Sequence, residues 1–178
     1  MDLLLNILAC WFITDFISGI FHWYEDVYLV PGRNVKLNEW IILPNLAHHK
    51  HPGGIRQGSY LSTNIILIVI ALTAAGVGFL FHVGWTYYLV CLFGSHVNQV
   101  HVWAHTSRPP RLVKYLQNLG VFQTVLHHGL HHRRPYGVNY CILTNYLNPI
   151  LDKLGFWRIL EKLIGIEPKN GTVARSSY

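Results

Sequence analysis

An all-α integral membrane protein is the fold class this sequence predicts, with about three transmembrane helices, amphipathic surface helices and a His-rich metal site at the cytoplasmic face. Three observations carry that expectation. The 178 residues are 51% hydrophobic and only 12% charged, with a mean hydropathy of +0.27, whereas a soluble domain carries roughly 25% charge. Long apolar runs alternate with turn-rich connections. The 14 Lys and Arg fall in two blocks, Arg33 to Arg56 and Arg108 to Arg175. The length fits one domain, residues 1–166 as the membrane domain and 167–178 as a polar tail.

The first element is Leu3 to Phe21, an apolar run long enough to cross a bilayer. It has no Lys or Arg before it and no small-residue cleavage pattern, so a retained helix is expected. Asp15 interrupts it, and a carboxylate in such a segment is costly and usually functional. On a helix Asp15, His22 and Asp26 share nearly one face, with Ser18 and Gly19 beside it to admit a neighbouring helix. Asp15 is expected to hold this helix through Asn98 or Gln99. Pro31 to Tyr60 is a polar connection containing His48, His49 and His51. Leu61 to Phe81 is uncharged and reads as a second span. Trp85 to Trp103 reads as a third, with interfacial aromatics at its start and His101 and His105 at its end. Arg111 to Leu126 repeats its apolar residues at helical spacing and is expected on the membrane surface. The run His127-His128-Gly129-Leu130-His131-His132 follows, closed by Arg133-Arg134-Pro135. Phe156 to Ile164 is a second amphipathic segment.

Charge placement sets the topology. No Lys or Arg lies between the second and third apolar runs, four lie between the first and second, and ten lie in the C-terminal region. Positive residues stay cytoplasmic. With three spans, ten of the 12 histidines then meet at one cytoplasmic membrane face. The three cysteines, Cys10, Cys91 and Cys141, form no C-x-x-C pair, which argues against a thiolate zinc site or a disulfide framework.

A single zinc or copper takes three or four protein ligands, and here there are about twice as many. Such a set suits two metals a few ångström apart. A neutral imidazole cage without thiolates fits non-haem iron working on O₂, a step no side chain performs alone. The Glu plus Glu-x-x-His signature of soluble di-iron bundles is absent.

In order, the boxes are Asp15-Phe16-Ile17-Ser18-Gly19 with His22-Trp23 and Asp26, His48-His49 with Pro52, and Asn98-Gln99-Val100-His101 with Trp103 and His105. Then come the His127–His132 run, Tyr140-Cys141-Ile142 and Phe156-Trp157-Arg158. This set, from about Asp15 to Glu161, resembles the Kua/CarF lipid desaturases, which include plasmanylethanolamine desaturase and a plant plastid palmitate desaturase. The resemblance implies two non-haem iron ions, O₂ as co-substrate, a membrane phospholipid substrate and an electron-transfer partner, a b-type cytochrome or ferredoxin. It implies a double bond placed near the headgroup end of a lipid chain, as a vinyl ether or next to an acyl carboxyl. His22, His48, His49, His101, His105, His128, His131 and His132 are the expected iron ligands, with His127 and His51 next in line. Asp26 would ligate or orient a histidine. Arg133 and Arg134 are candidates for lipid phosphate. His51 stands where the family usually has Asp, and Arg56-Gln57-Gly58 stands where it usually has a further His. Either His51 replaces that ligand or the second metal is held differently. A multi-pass location follows, in a bacterial inner membrane or in an endoplasmic reticulum or plastid membrane, and no nucleic-acid partner is expected. The competing classes are a hydroxylase with the same cage and a non-catalytic membrane metal-binding or transport protein.

Overall fold

The computed structural model describes residues 2–29, 38–133 and 136–165, and among them the regular structure is entirely helical. α1 (Asp2–Val27) is followed by a π turn (Asn38–Ile42), α2 (Leu43–Lys50) and a 3₁₀ turn (Pro52–Gln57). Next come α3 (Tyr60–Leu80), α4 (Trp85–Gly94) and α5 (Val97–Ala104). The C-terminal part holds α6 (Arg111–Asn118), α7 (Val125–His131), α8 (Leu147–Lys153) and α9 (Phe156–Leu163).

Two of the described helices, Leu3–Val27 and Tyr60–Leu80, are long and apolar enough to cross a membrane. α3 buries only Asn64 and Gly78, while Leu72, Phe79 and Leu80 stand exposed. A helix apolar on every side with so little burial is built for hydrocarbon, not for a water-facing surface. Ser59 caps it by accepting a hydrogen bond from Ser62 N.

The run Trp85–Trp103, expected as one span, is two helices of 10 and 8 residues, α4 and α5. The break falls at Ser95 and His96. Ser95 Oγ donates to Leu92 O at 2.7 Å, and His96 Nδ1 lies 2.9 Å from the same carbonyl. Side chains that take a helix carbonyl compete with the next backbone turn. α6 also ends before the expected Leu126: Gly120 adopts φ +72° and reverses the chain. Thr124 then caps α7 by accepting from His127 N at 3.2 Å.

The centre of the molecule is a non-helical segment, Asn139 to Thr144, buried along its whole length. It has no ladder partner among the described residues, so side chains must satisfy its backbone. Asp15 accepts from Leu143 N at 2.7 Å, Thr144 N at 3.2 Å and Thr144 Oγ1 at 2.6 Å. Ser18 Oγ accepts from Ile142 N, and Asn148 both accepts from Cys141 N and donates to Cys141 O. Gln123 Nε2 donates to Cys141 O at 2.7 Å. A Cβ on Gly19 would sit 2.6 Å from Cys141 Sγ, so glycine is what lets the segment lie against α1. Asp15 therefore holds this segment and not Asn98 or Gln99. Asn98 and the Gln99 backbone bond instead to Thr63 O and Asn64 Oδ1 of α3.

Candidate metal centre

Eight histidines and one aspartate from four helical elements meet in two adjacent nests. The first contains His48, His101, His105, His128 and His132, and the second His22, Asp26, His49 and His131. In each nest the ligand atoms lie within 4.8 Å of one another. Helical spacing does much of the positioning: His101 and His105 share a face, as do His22 and Asp26, and His128 and His132. The neighbours His48 and His49 of α2 point to different nests, as do His131 and His132 at the end of α7. The nests touch: the His49 ring lies 4.9 Å from His132, and the His22 ring 5.7 Å from His101.

The first nest is built from Nε2 contacts. His48 to His101 is 3.0 Å, His105 to His48 is 3.1 Å and His105 to His101 is 3.2 Å. His128 approaches His101 at 2.8 Å and His132 at 3.1 Å. A triangle of three such nitrogens cannot be satisfied by protons alone. Each neutral Nε2 is either donor or acceptor, so at least one pair faces like to like. A cation at the centre takes all the lone pairs at once. Two nitrogens at right angles, each about 2.1 Å from one ion, lie about 3 Å apart, which matches these contacts.

In the second nest two backbone carbonyls fix the rings. His22 Nδ1 donates to Tyr140 O at 3.1 Å, and His131 Nδ1 to Val138 O at 2.9 Å. Their Nε2 lone pairs then face inward. His22 Nε2 is buried with no hydrogen-bond partner among the described residues. Asp26 holds Nε2 of His49 at 2.9 Å and of His131 at 3.1 Å, and accepts from Asn45 Nδ2 at 2.8 Å. In the first nest, burial keeps four imidazoles neutral: His48 is pushed down to about 2 and His105 to about 4, and His128 and His132 are lowered by the same cause with neighbouring imidazoles adding to it. Neutral imidazole with one carboxylate suits iron, zinc, copper or nickel, not a thiolate-loving ion. Burial also pushes the Cys141 thiol up, and the three cysteines are in neither nest.

Of the residues singled out in the sequence, His51 and His127 lie outside both nests. His51 caps α2 and is exposed. His127 Nε2 lies 3.3 Å from Asn148 Nδ2, one residue out of register with the His128 face. Arg133 is exposed and lines a surface recess of about 420 Å³ with Asp152 and Arg158, whereas Arg134 lies outside the described residues. Asn45, Gln123 and Asn148 were not legible as site residues, because a lone amide carries no spacing signal. An apolar cavity of about 290 Å³ reaches His22 between α1, α3, α4 and α5.

Fold and site together define a class: a helical, membrane-type protein with a histidine cage fit for metal. The chain belongs to the lipid desaturase family, whose family model, the lipid desaturase domain, matches residues 11–177. It is 31% identical to plasmanylethanolamine desaturase 1 of Mus musculus over 90% of this chain and 64% of the mouse protein. It is 30% identical to a probable fatty acid desaturase of Acanthamoeba polyphaga mimivirus, over 95% of this chain and 88% of that one. Plasmanylethanolamine desaturase of Myxococcus xanthus is 29% identical over 91% of this chain and 60% of its own length. The chain thus spans less than two thirds of the mouse and Myxococcus relatives. No solved structure matches. The relatives named here are desaturases.

Proposed function

We propose that this chain is a non-haem di-iron, O₂-dependent desaturase that forms a double bond near the headgroup end of a phospholipid chain. The favoured product is the vinyl ether made from plasmanylethanolamine, after the names of the mouse and Myxococcus relatives. The observation that carries this reading is the pair of adjacent nests, five histidines beside three histidines and Asp26. One nest would hold one metal, and two nests at this separation suit a two-iron centre. Iron, when bound, supplies an oxidant able to take hydrogen from an unactivated C–H bond.

The chain's own residues supply the rest. Tyr140 O and Val138 O hold His22 and His131 with their Nε2 lone pairs inward. Asn45 holds Asp26 against His49. Burial of His22, His101, His128 and His131 keeps bulk water from the centre. The overall reaction converts CH₂–CH₂ and O₂, with two electrons and two protons, into CH=CH and two waters. The electrons come from a separate donor such as a b-type cytochrome or ferredoxin. We assign Arg133 to lipid phosphate on its charge, and the two basic blocks support a site that faces the cytoplasm.

The test is lipid mass spectrometry in a host that makes alkyl-ether lipids but no vinyl ethers. The expected product is lighter by two hydrogens and vanishes in His131→Ala. A product heavier by one oxygen, or none with iron bound, contradicts the reading.

A further inference from the structure

The apolar cavity between α1, α3, α4 and α5 has one chemically distinct end. His22 and Glu25 lie there, and the rest of its α1 wall runs through Phe21 and Ile17 to Thr14. Thr14 is already satisfied, its Oγ1 donating to Cys10 O at 2.8 Å. From His22 to Thr14 the cavity follows α1 for about 12 Å. At the far end stands Tyr87, whose hydroxyl donates to Ala74 O at 3.0 Å. A Cβ on Gly78 would meet the Tyr87 ring at 2.5 Å, so glycine there seats the ring.

We infer that this cavity is the binding site for the hydrocarbon chain of the lipid substrate, with the reacting carbons at His22 and the chain running toward Tyr87. Naming the chain as substrate rests on the desaturase reading; the chain site itself rests on the cavity. The occupant follows from three features. The lining is apolar and lies within helices long enough to span a bilayer. The two titratable side chains on its α1 wall, His22 and Glu25, stand at one end, and His22 belongs to the second nest, which puts that end beside the metal centre. The α1 wall alone runs for about 12 Å, which fits a chain and not a headgroup. Three bonds of an extended chain cover about 3.6 Å, so about 12 Å holds roughly ten bonds between the reacting carbons and Tyr87. A longer tail passes Tyr87 into the bilayer. This arrangement also explains attack near the headgroup: Glu25 lies one turn from His22 at the polar end, which leaves little chain on that side.

The experiment is photo-crosslinking of the iron-loaded full chain in vesicles, using two alkyl-ether phospholipids. One carries a diazirine near the ether oxygen and the other about ten carbons further on. The first is expected to label the Phe21 level and the second the Tyr87 and Cys91 level. Gly94 lines the cavity and a Cβ there meets nothing within 4 Å, so Gly94→Leu fills the space without striking backbone. Ala71→Leu fills it from α3. Each variant is expected to retain its iron and lose cavity labelling at least tenfold. Equal labelling of exposed Leu72, Phe79 and Leu80 by both probes, or cavity labelling unchanged in both iron-loaded variants, overturns the chain site. Cavity labelling by a wild-type chain that forms no desaturated lipid overturns the desaturase reading and leaves the chain site standing. Desaturation without cavity labelling overturns the chain site alone.

Discussion

Asp15→Ala tests how the buried segment holds both the fold and the metal centre. The substitution removes the acceptor for Leu143 N, Thr144 N and Thr144 Oγ1. All of these groups are buried, with Leu143 and Thr144 at 0% exposure. A buried donor left unpaired costs about 1–3 kcal/mol, so three cost about 3–9 kcal/mol. Local settling reduces this to about 3–5 kcal/mol, the upper range for a single substitution. At roughly 2–4 °C per kcal/mol for a chain of this size, the midpoint should fall by roughly 6–20 °C. Cys141 and Cys10 are buried, so a thiol-reactive dye reports the transition. The segment carries the Tyr140 carbonyl that holds His22, and Val138 just before it holds His131, so iron in the second nest should fall with stability. A midpoint within about 2 °C of wild type, with full iron, refutes the reasoning.

Four further outcomes follow from the same geometry. His128→Ala, which empties the middle of the first nest, should abolish desaturation while His51→Ala, exposed and outside both nests, should retain wild-type iron by elemental analysis. Asn45→Ala frees Asp26 from its amide partner and should weaken iron binding in the second nest by about 10–100-fold in a metal titration. Gly19→Val drives a side chain into Cys141 Sγ and N and should cost about 1–3 kcal/mol in thermal or denaturant unfolding. The fourth concerns pH. His48 and His105 titrate near 2 and 4 when folded, below the ordinary 6.5, so the unfolded chain binds more protons. The stability of chelator-treated protein should be flat above pH 6.5 and fall as the pH drops toward 4. A midpoint that rises on acidification contradicts the assignment.

The sequence carried the parts of this protein that repeat. The α1 and α3 runs are legible because a bilayer demands about 20 apolar residues, and the eight nest histidines because i,i+4 spacing and box order survive in one dimension. The break in Trp85–Trp103 was not legible. It depends on Ser95 and His96 choosing the Leu92 carbonyl, a contest between local bonds that hydropathy does not register. The role of Asp15 was half legible. Its cost in an apolar helix announced a partner, but the partner is backbone 128 residues away, and backbone leaves no residue-type signal. The split of His48 from His49 was hidden for the same reason, since it follows from how α2 docks and not from spacing.

The central claim is that two nests hold two metals. Iron per chain, measured by elemental analysis of purified wild type, His101→Ala and His22→Ala, tests it most directly. The expected counts are roughly two, one and one, with each variant emptying its own nest. A single zinc, a haem, or one iron that is lost equally in both variants would contradict it.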